Sequence, residues 1–317
     1  MGIAWRLRAL KRPNRRARFR AWRRGVIGRR RYFHAGVANV GLIEHFGDIV
    51  ACEPIARYLH EKHGQVAWSV RSVYRKLVDR NPHIAYTIEC ETLTEWMMIR
   101  QGMDVPVDLH INRRWCDPTG NEFHKDDHGS GIDRTNYYDH GNLLAIACKS
   151  AGLPVLTEGP RVYLNDADRA AVDGLGLPPR FVAVHCRSNQ AKRDWDDDKW
   201  RQLVDRLDVP VVEVGLQSVL GGQEGRVCGR VSLLETAEVI QRANLFIGID
   251  SGPAHLANAV QTPGVILLGR YNQYAKYMPY SGGYGDGTNA AVIQHEAPAA
   301  DIAVKTVLAH AKERIRG

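Results

Sequence analysis

Residues 245–269, LFIGIDSGPAHLANAVQTPGVILLG, leave few folds open. Residues 245–249 and 265–268 are short aliphatic runs bounded by glycine or proline, the pattern of parallel strands covered on both faces. Between them Pro253 suits the first turn of a helix, where its missing N–H is no loss, and residues 254–260 continue in helix-tolerant types. The segment therefore reads as strand, loop, helix, strand. In an open α/β sheet such a loop lies at the carboxyl end of its strand, where ligands bind, and the helix turns its free N–H groups outward. Gly252 would let a phosphate approach the backbone and Ser251 adds a hydroxyl, while Asp250 suits sugar hydroxyls better than phosphate. The competing account is that Asp250 and Ser251 cap the helix and His255 is a structural histidine of its second turn.

The same alternation runs through the rest of the chain. Residues 37–43, 65–70 and 84–89 read as strands, with an amphipathic helix over 49–63. Residues 104–141 turn polar and loop-like, and a helix is expected over 142–151. A second series follows: strand 181–185, helix 198–207, strand 211–214, helix 233–243, then the opening segment. At 317 residues the chain exceeds the usual size of one core, so a boundary is expected near 164–179. That predicts a tail over 1–35, an α/β domain over 36–165 and a second over 166–317, whose last helix packs back on the first. With 44% hydrophobic and 25% charged residues the composition is that of a globular protein, and no apolar run reaches the roughly 18 residues that span a bilayer. The six cysteines are scattered without a C-x-x-C pair, which points to reduced thiols rather than disulfides or zinc.

Charge is divided unevenly. Residues 1–31 hold thirteen of the 43 Lys and Arg and none of the 35 Asp and Glu, so the net charge of +8 belongs to the tail and the body is acidic. Phe19, Trp22 and Val26 fall at helical spacing among Arg16, Arg18, Arg20, Arg23 and Arg24, with Asn14 available as N-cap. This is the design of a helix lying on an anionic membrane surface. A solvated disordered segment, a transit peptide and a nucleic-acid arm are the alternatives.

Three stretches carry a family resemblance: GDIVACEPIARYL at 47–59, NQAKRDWDDDKWRQLVDRL at 189–207 and SLLETAEVIQRANLFIGIDSGPAHLANAVQTPGVILLG at 232–269. They resemble glycosyltransferase family 9, the lipopolysaccharide heptosyltransferases. The resemblance extends from about residue 37 to the C-terminus, strongest after 181 and weakest over 104–141. It implies a GT-B fold, two Rossmann-like α/β domains with parallel sheets facing across a cleft, the acceptor on the first and the nucleotide sugar on the second. It further implies an inverting transfer, usually from ADP-heptose, with no metal and no cofactor beyond the nucleotide-sugar co-substrate. Carried over by position, Asp48 is the catalytic base, with His45 and Gly47 beside it on the acceptor side. Lys192, Asp250, Ser251, Gly252 and His255 would hold the donor diphosphate and sugar, and Gln217 the nucleotide. The implied partners are a nucleotide-sugar donor, a glycan or lipid-linked saccharide acceptor and, through the tail, the inner face of the plasma membrane. The chain departs from the family in its basic extension, in Glu44-His45-Phe46 before the Gly-Asp pair, and in Asp196 after Trp195.

Asp48 has a second reading, as a cap of the helix starting at Ile49. HKDDH at 124–128 offers two imidazoles and two carboxylates, readable as an acceptor-contacting loop, a solvated loop or a metal site. Tyr271, Tyr274, Tyr277, Met278, Tyr280 and Tyr284 would stack on a base or sugar, or cover the cleft. The alternatives to transfer are a nucleotide-sugar or glycan-binding protein without a working base, and an epimerase of similar shape.

Overall fold

A computed structural model describes residues 15–31, 36–116, 119–274 and 277–316. They fall into two compact α/β units: residues 1–45, 55–140 and 145–156 make one, and residues 46–54, 141–144 and 157–317 the other. The chain thus passes between the units more than once.

In chain order the elements begin α1 (Arg15–Arg31), β1 (Ala38–Gly41), α2 (Phe46–Ala51), α3 (Glu53–His63), β2 (Val66–Val70), α4 (Arg75–Asp79), β3 (Tyr86–Glu89), α5 (Leu93–Ile99) and β4 (Val105–Asp108). A short hairpin, β5 (Trp115–Cys116) and β6 (Asn121–Glu122), and α6 (Leu143–Ser150) follow. Asn14, the expected cap of α1, lies outside the described residues. The first sheet is parallel throughout, in the order β3-β2-β1-β4, with Ala38 opposite Val66 on one side and Val105 on the other. The helix expected over 49–63 divides into α2 and α3 because Pro54, in the first turn of α3, has no N–H to continue a ladder.

The segment 104–141 is more ordered than its polarity suggests. Its first residues form β4, whose Pro106 is tolerated because the strand is at the sheet edge and pairs on one side only. Lys125 of the HKDDH stretch is anchored rather than solvated, its ammonium donating to the carbonyls of Asp108 and, at 2.7 Å, Ser150. Burial lowers the Lys125 pKa to about 8. Burial alone would raise Asp108, but hydrogen bonding and charge from His110, with Lys125 and Arg100, bring it down to about 2. The Asp108 carboxylate accepts from Trp96 Nε1 at 2.7 Å and Arg100 Nη1 at 2.5 Å.

The second unit contains α7 (Asp166–Asp173), β7 (Val182–His185), α8 (Asp197–Val204), β8 (Val211–Glu213), α9 (Leu233–Arg242), β9 (Leu245–Ile249), α10 (Gly252–Ala259), β10 (Gly264–Leu268), α11 (Gly282–Gly285), β11 (Ala290–Gln294) and α12 (Val304–Arg316). Its sheet is also parallel, in the order β11-β10-β9-β7-β8. Residues 164–179 are not a bare linker: Asn165 and Asp168 form a reciprocal capping box that starts α7. The core joins Trp195, Trp200, Leu245, Ile247, Val265 and Leu267 to Val307 and Ala311 of α12. The last helix therefore packs on the second sheet. All six cysteines are free thiols, five of them buried. Among the described residues no helix is long and apolar enough to cross a membrane.

Candidate active site

The site is built where β7 and β9 end and α10 begins, all within the second unit. β9 is buried along its length, and the chain leaves it at Asp250 and re-enters helix at Gly252, with Ser251 extended between them and Pro253 in the first turn. Ser251 does not cap α10 with its side chain. Its hydroxyl lies 2.9 Å from His185 Nδ1 and 3.1 Å from the Ile249 carbonyl. One hydroxyl proton cannot serve both, so a Ser251 that donates to Ile249 accepts from a His185 protonated at Nδ1. No motif marks His185, although a histidine ending a central strand points to this edge. Burial, helped by the nearby Arg193 charge, lowers its pKa to about 4, so it is neutral near pH 7.

Asp250 is buried, and its carboxylate is occupied from three sides. Arg193 Nη1 binds Oδ2 at 2.9 Å, Tyr277 reaches Oδ2 at 3.2 Å and Tyr280 reaches Oδ1 at 3.3 Å. Asp250, expected to meet sugar hydroxyls, also anchors an arginine and two tyrosines. Those tyrosines are not free stacking surfaces. Tyr280 also packs on the His255 ring at 4.8 Å, and Tyr284 donates to the Thr262 carbonyl.

Two adjacent cations differ in their surroundings. Arg193 is mostly buried, holds Asn189 through Nη2 at 2.6 Å and lies 5.4 Å from the Tyr271 ring centroid. Burial works against its charge, but Asp250 outweighs it and raises the pKa. Lys192 is exposed, donates to Asn272 and sits 4.8 Å from the same ring. Of the two, Arg193 is the cation that reaches the strand tip, where it binds Asp250.

Gly47 and Asp48, expected on the acceptor side, belong with α2 to the second unit. A Cβ on Gly47 would stand 3.0 Å from His255 Cδ2 and 3.2 Å from Gly252 Cα, and a Cβ on Gly252 would enter the Phe46 ring at 1.9 Å. Both glycines serve this close approach of α2 and α10, so Gly252 is required by packing whatever ligand it meets. α2 begins at Phe46, which puts Asp48 inside the first turn, not at a cap position before Ile49. His255 is buried with no partner for Nδ1. Burial lowers its pKa against the opposing pull of Asp250 and Asp48, with Arg193 adding to the lowering. His45 and Gln217 are exposed, Gln217 on the loop that Glu213 pins by accepting from the Val219 and Leu220 amides. Among the described residues no group of three or more His, Cys, Asp or Glu could hold a metal ion, the HKDDH stretch included.

Asp250 with Arg193 thus stands at the end of β9, and the buried His255 lies in the first turns of α10. Residues 142–283, which hold most of this site, match the sequence profile of glycosyltransferase family 9 (heptosyltransferase). These residues form a family 9 glycosyltransferase domain. Lipopolysaccharide heptosyltransferase 3 of Escherichia coli K12 is 30% identical over 117 residues, 32% of this chain and 34% of that protein. The matched stretch spans about a third of the curated relative's length. Among solved structures, a family 9 glycosyltransferase of Veillonella parvula superposes with a TM-score of 0.67 at 16% identity, covering 88% of this chain and 97% of that one. E. coli ADP-heptose lps heptosyltransferase II gives 0.64 at 14% identity, covering 88% and 98%. The family 9 domain and the unit before it therefore share the two-unit GT-B fold of those proteins.

Proposed function

We propose that the protein is an inverting, metal-independent glycosyltransferase that transfers a sugar, heptose from ADP-heptose, to a lipopolysaccharide or related glycan acceptor. The observation that carries this reading is the packing of α2 on α10, which sets Gly47 against His255 and lets the Asp48 charge act on that buried imidazole, whose Nδ1 has no partner. The relatives named for heptose transfer and ADP-heptose support the choice of donor. In this reading Asp48 removes the proton of the acceptor hydroxyl as it attacks the anomeric carbon. The sugar–phosphate bond breaks on the opposite face. Charge then grows on the departing diphosphate, where the α10 dipole, Lys192 and Arg193 stabilise it. Ser251, Gly252 and His255 line the donor, with Gln217 on the nucleotide side and His45 and Gly47 near the acceptor. Asp250 acts by holding Arg193. In this reading the reaction runs at the cytoplasmic face of the inner membrane, met through the basic N-terminal segment.

A panel of ADP-, GDP-, UDP- and dTDP-sugars, read by thermal shift and by donor turnover, tests the reading. ADP-heptose should stabilise the protein most and turn over with EDTA present. Stabilisation without turnover on any glycan acceptor would make it a nucleotide-sugar-binding protein. Activity lost in EDTA and restored by Mn²⁺ would overturn the metal-free mechanism.

A further inference from the structure

The helix α1 has two faces of opposite chemistry, both within the first unit. One is made of small residues: Ala21, Gly25 and Gly28 are buried, and a Cβ on Gly25 would stand 2.7 Å from Met98 Cβ of α5. The helix is pinned at its edges, where Arg18 Nε donates to the Thr119 carbonyl at 2.6 Å and Arg24 lies 3.6 Å from the buried Glu95 carboxylate. It is therefore a fixed part of the unit, not a tether.

At 3.6 residues per turn the opposite face carries Phe19 and Val26, flanked by Trp22 and Ile27. Phe19 is 62% exposed, Trp22 52% and Ile27 53%, and the Phe19 and Trp22 rings stack at 6.0 Å. Arg15, Arg20 and Arg23 are exposed among them, and the helix has no acid. The hairpin that Arg18 grips carries a further half-exposed aromatic, Trp115. Single exposed apolar side chains are ordinary, but three large ones grouped with arginines on one docked helix are not.

We infer that the outer face of α1 is a lipid-binding surface that seats the first unit on an anionic bilayer, with Phe19, Trp22 and Ile27 entering the headgroup layer and the arginines pairing lipid phosphates. Charge selects the occupant: an all-basic face with aromatic side chains fits an anionic interface, and the small-residue face is already taken by α5. The inference deepens the membrane part of the proposed function and rests on it only for the setting. It needs no sugar chemistry, so vesicle binding and turnover can fail separately.

The test is co-sedimentation of the full chain, at about physiological salt, with vesicles of phosphatidylcholine alone or mixed with phosphatidylglycerol. Binding should require phosphatidylglycerol. The triple variant Phe19→Ala, Trp22→Ala, Ile27→Ala should weaken it about tenfold or more, as should Arg15→Gln, Arg20→Gln, Arg23→Gln, both with an unchanged melting temperature. Gly25→Val, which drives α1 into Met98, should lower the melting temperature instead. Equal binding to both vesicle types, or unchanged binding by the apolar triple variant, overturns the inference. So does a wild-type dimer that the triple variant dissolves, or RNA binding that the arginine variant abolishes while vesicle binding persists.

Discussion

At the scale of single residues the site turns on who partners each charge. Asp48 lies in the first turn of α2, where Asn would keep the local helix geometry but cannot take a proton. Asp48→Asn should therefore keep the melting temperature and ADP-sugar affinity while kcat falls by roughly 10² or more. Near-normal turnover would remove Asp48 from the chemistry. Arg193 and Lys192 separate in the same way. Arg193→Ala leaves Asp250 buried without its cation, a loss of about 3–5 kcal/mol that urea unfolding should show. Lys192→Ala should raise the donor KM and barely change stability, because its ammonium is exposed. The phosphate role proposed for Lys192 comes from the resemblance alone. The greater burial of its neighbour was not legible, since Arg193 meets Asp250 across 57 residues of chain.

At the scale of elements, hydrophobic runs marked the central strands of the second sheet well, because parallel strands covered on both faces must be apolar throughout. β9 spans the residues expected of it. β4 escaped because Pro106 reads as a strand breaker, and only its edge position removes the penalty. α5 has a readable start in Thr92 and Glu95, whose amide donates to the Thr92 hydroxyl at 3.2 Å. The pairing of α2 with α10 is the element contact that shapes the site, and it gives a steric prediction. Gly252→Ala should lower the melting temperature by several degrees, as its methyl enters the Phe46 ring, and Phe46→Ala in the same chain should recover part of the loss. Additive losses in the double variant would show that another contact makes glycine necessary.

Over the whole molecule, buried histidines set a pH limit. His185 has its pKa lowered from 6.5 to about 4, and burial also lowers His110 and His255. The unfolded chain then binds more protons than the folded one between those values, so the contribution of these histidines is complete above about pH 6.5 and falls as pH drops towards 4. His185 alone accounts for about 3 kcal/mol of that fall. His185→Gln should flatten the melting temperature against pH across this window; an unchanged slope would show that the imidazole is not held neutral by burial. The sequence by itself determined the class of architecture, the alternation of strand and helix in both halves, the split between a basic N-terminus and an acidic body, and the loop after β9 as the place to look for a site. These depend on local periodicity and side-chain type, which the chain carries along its length. Tertiary structure decided that residues 46–54 join the second unit, that α1 is docked by its small residues, and that Asp250 is already held by Arg193, Tyr277 and Tyr280. Each of these is a contact between residues far apart in sequence, and packing distance, not pattern, selects the partner.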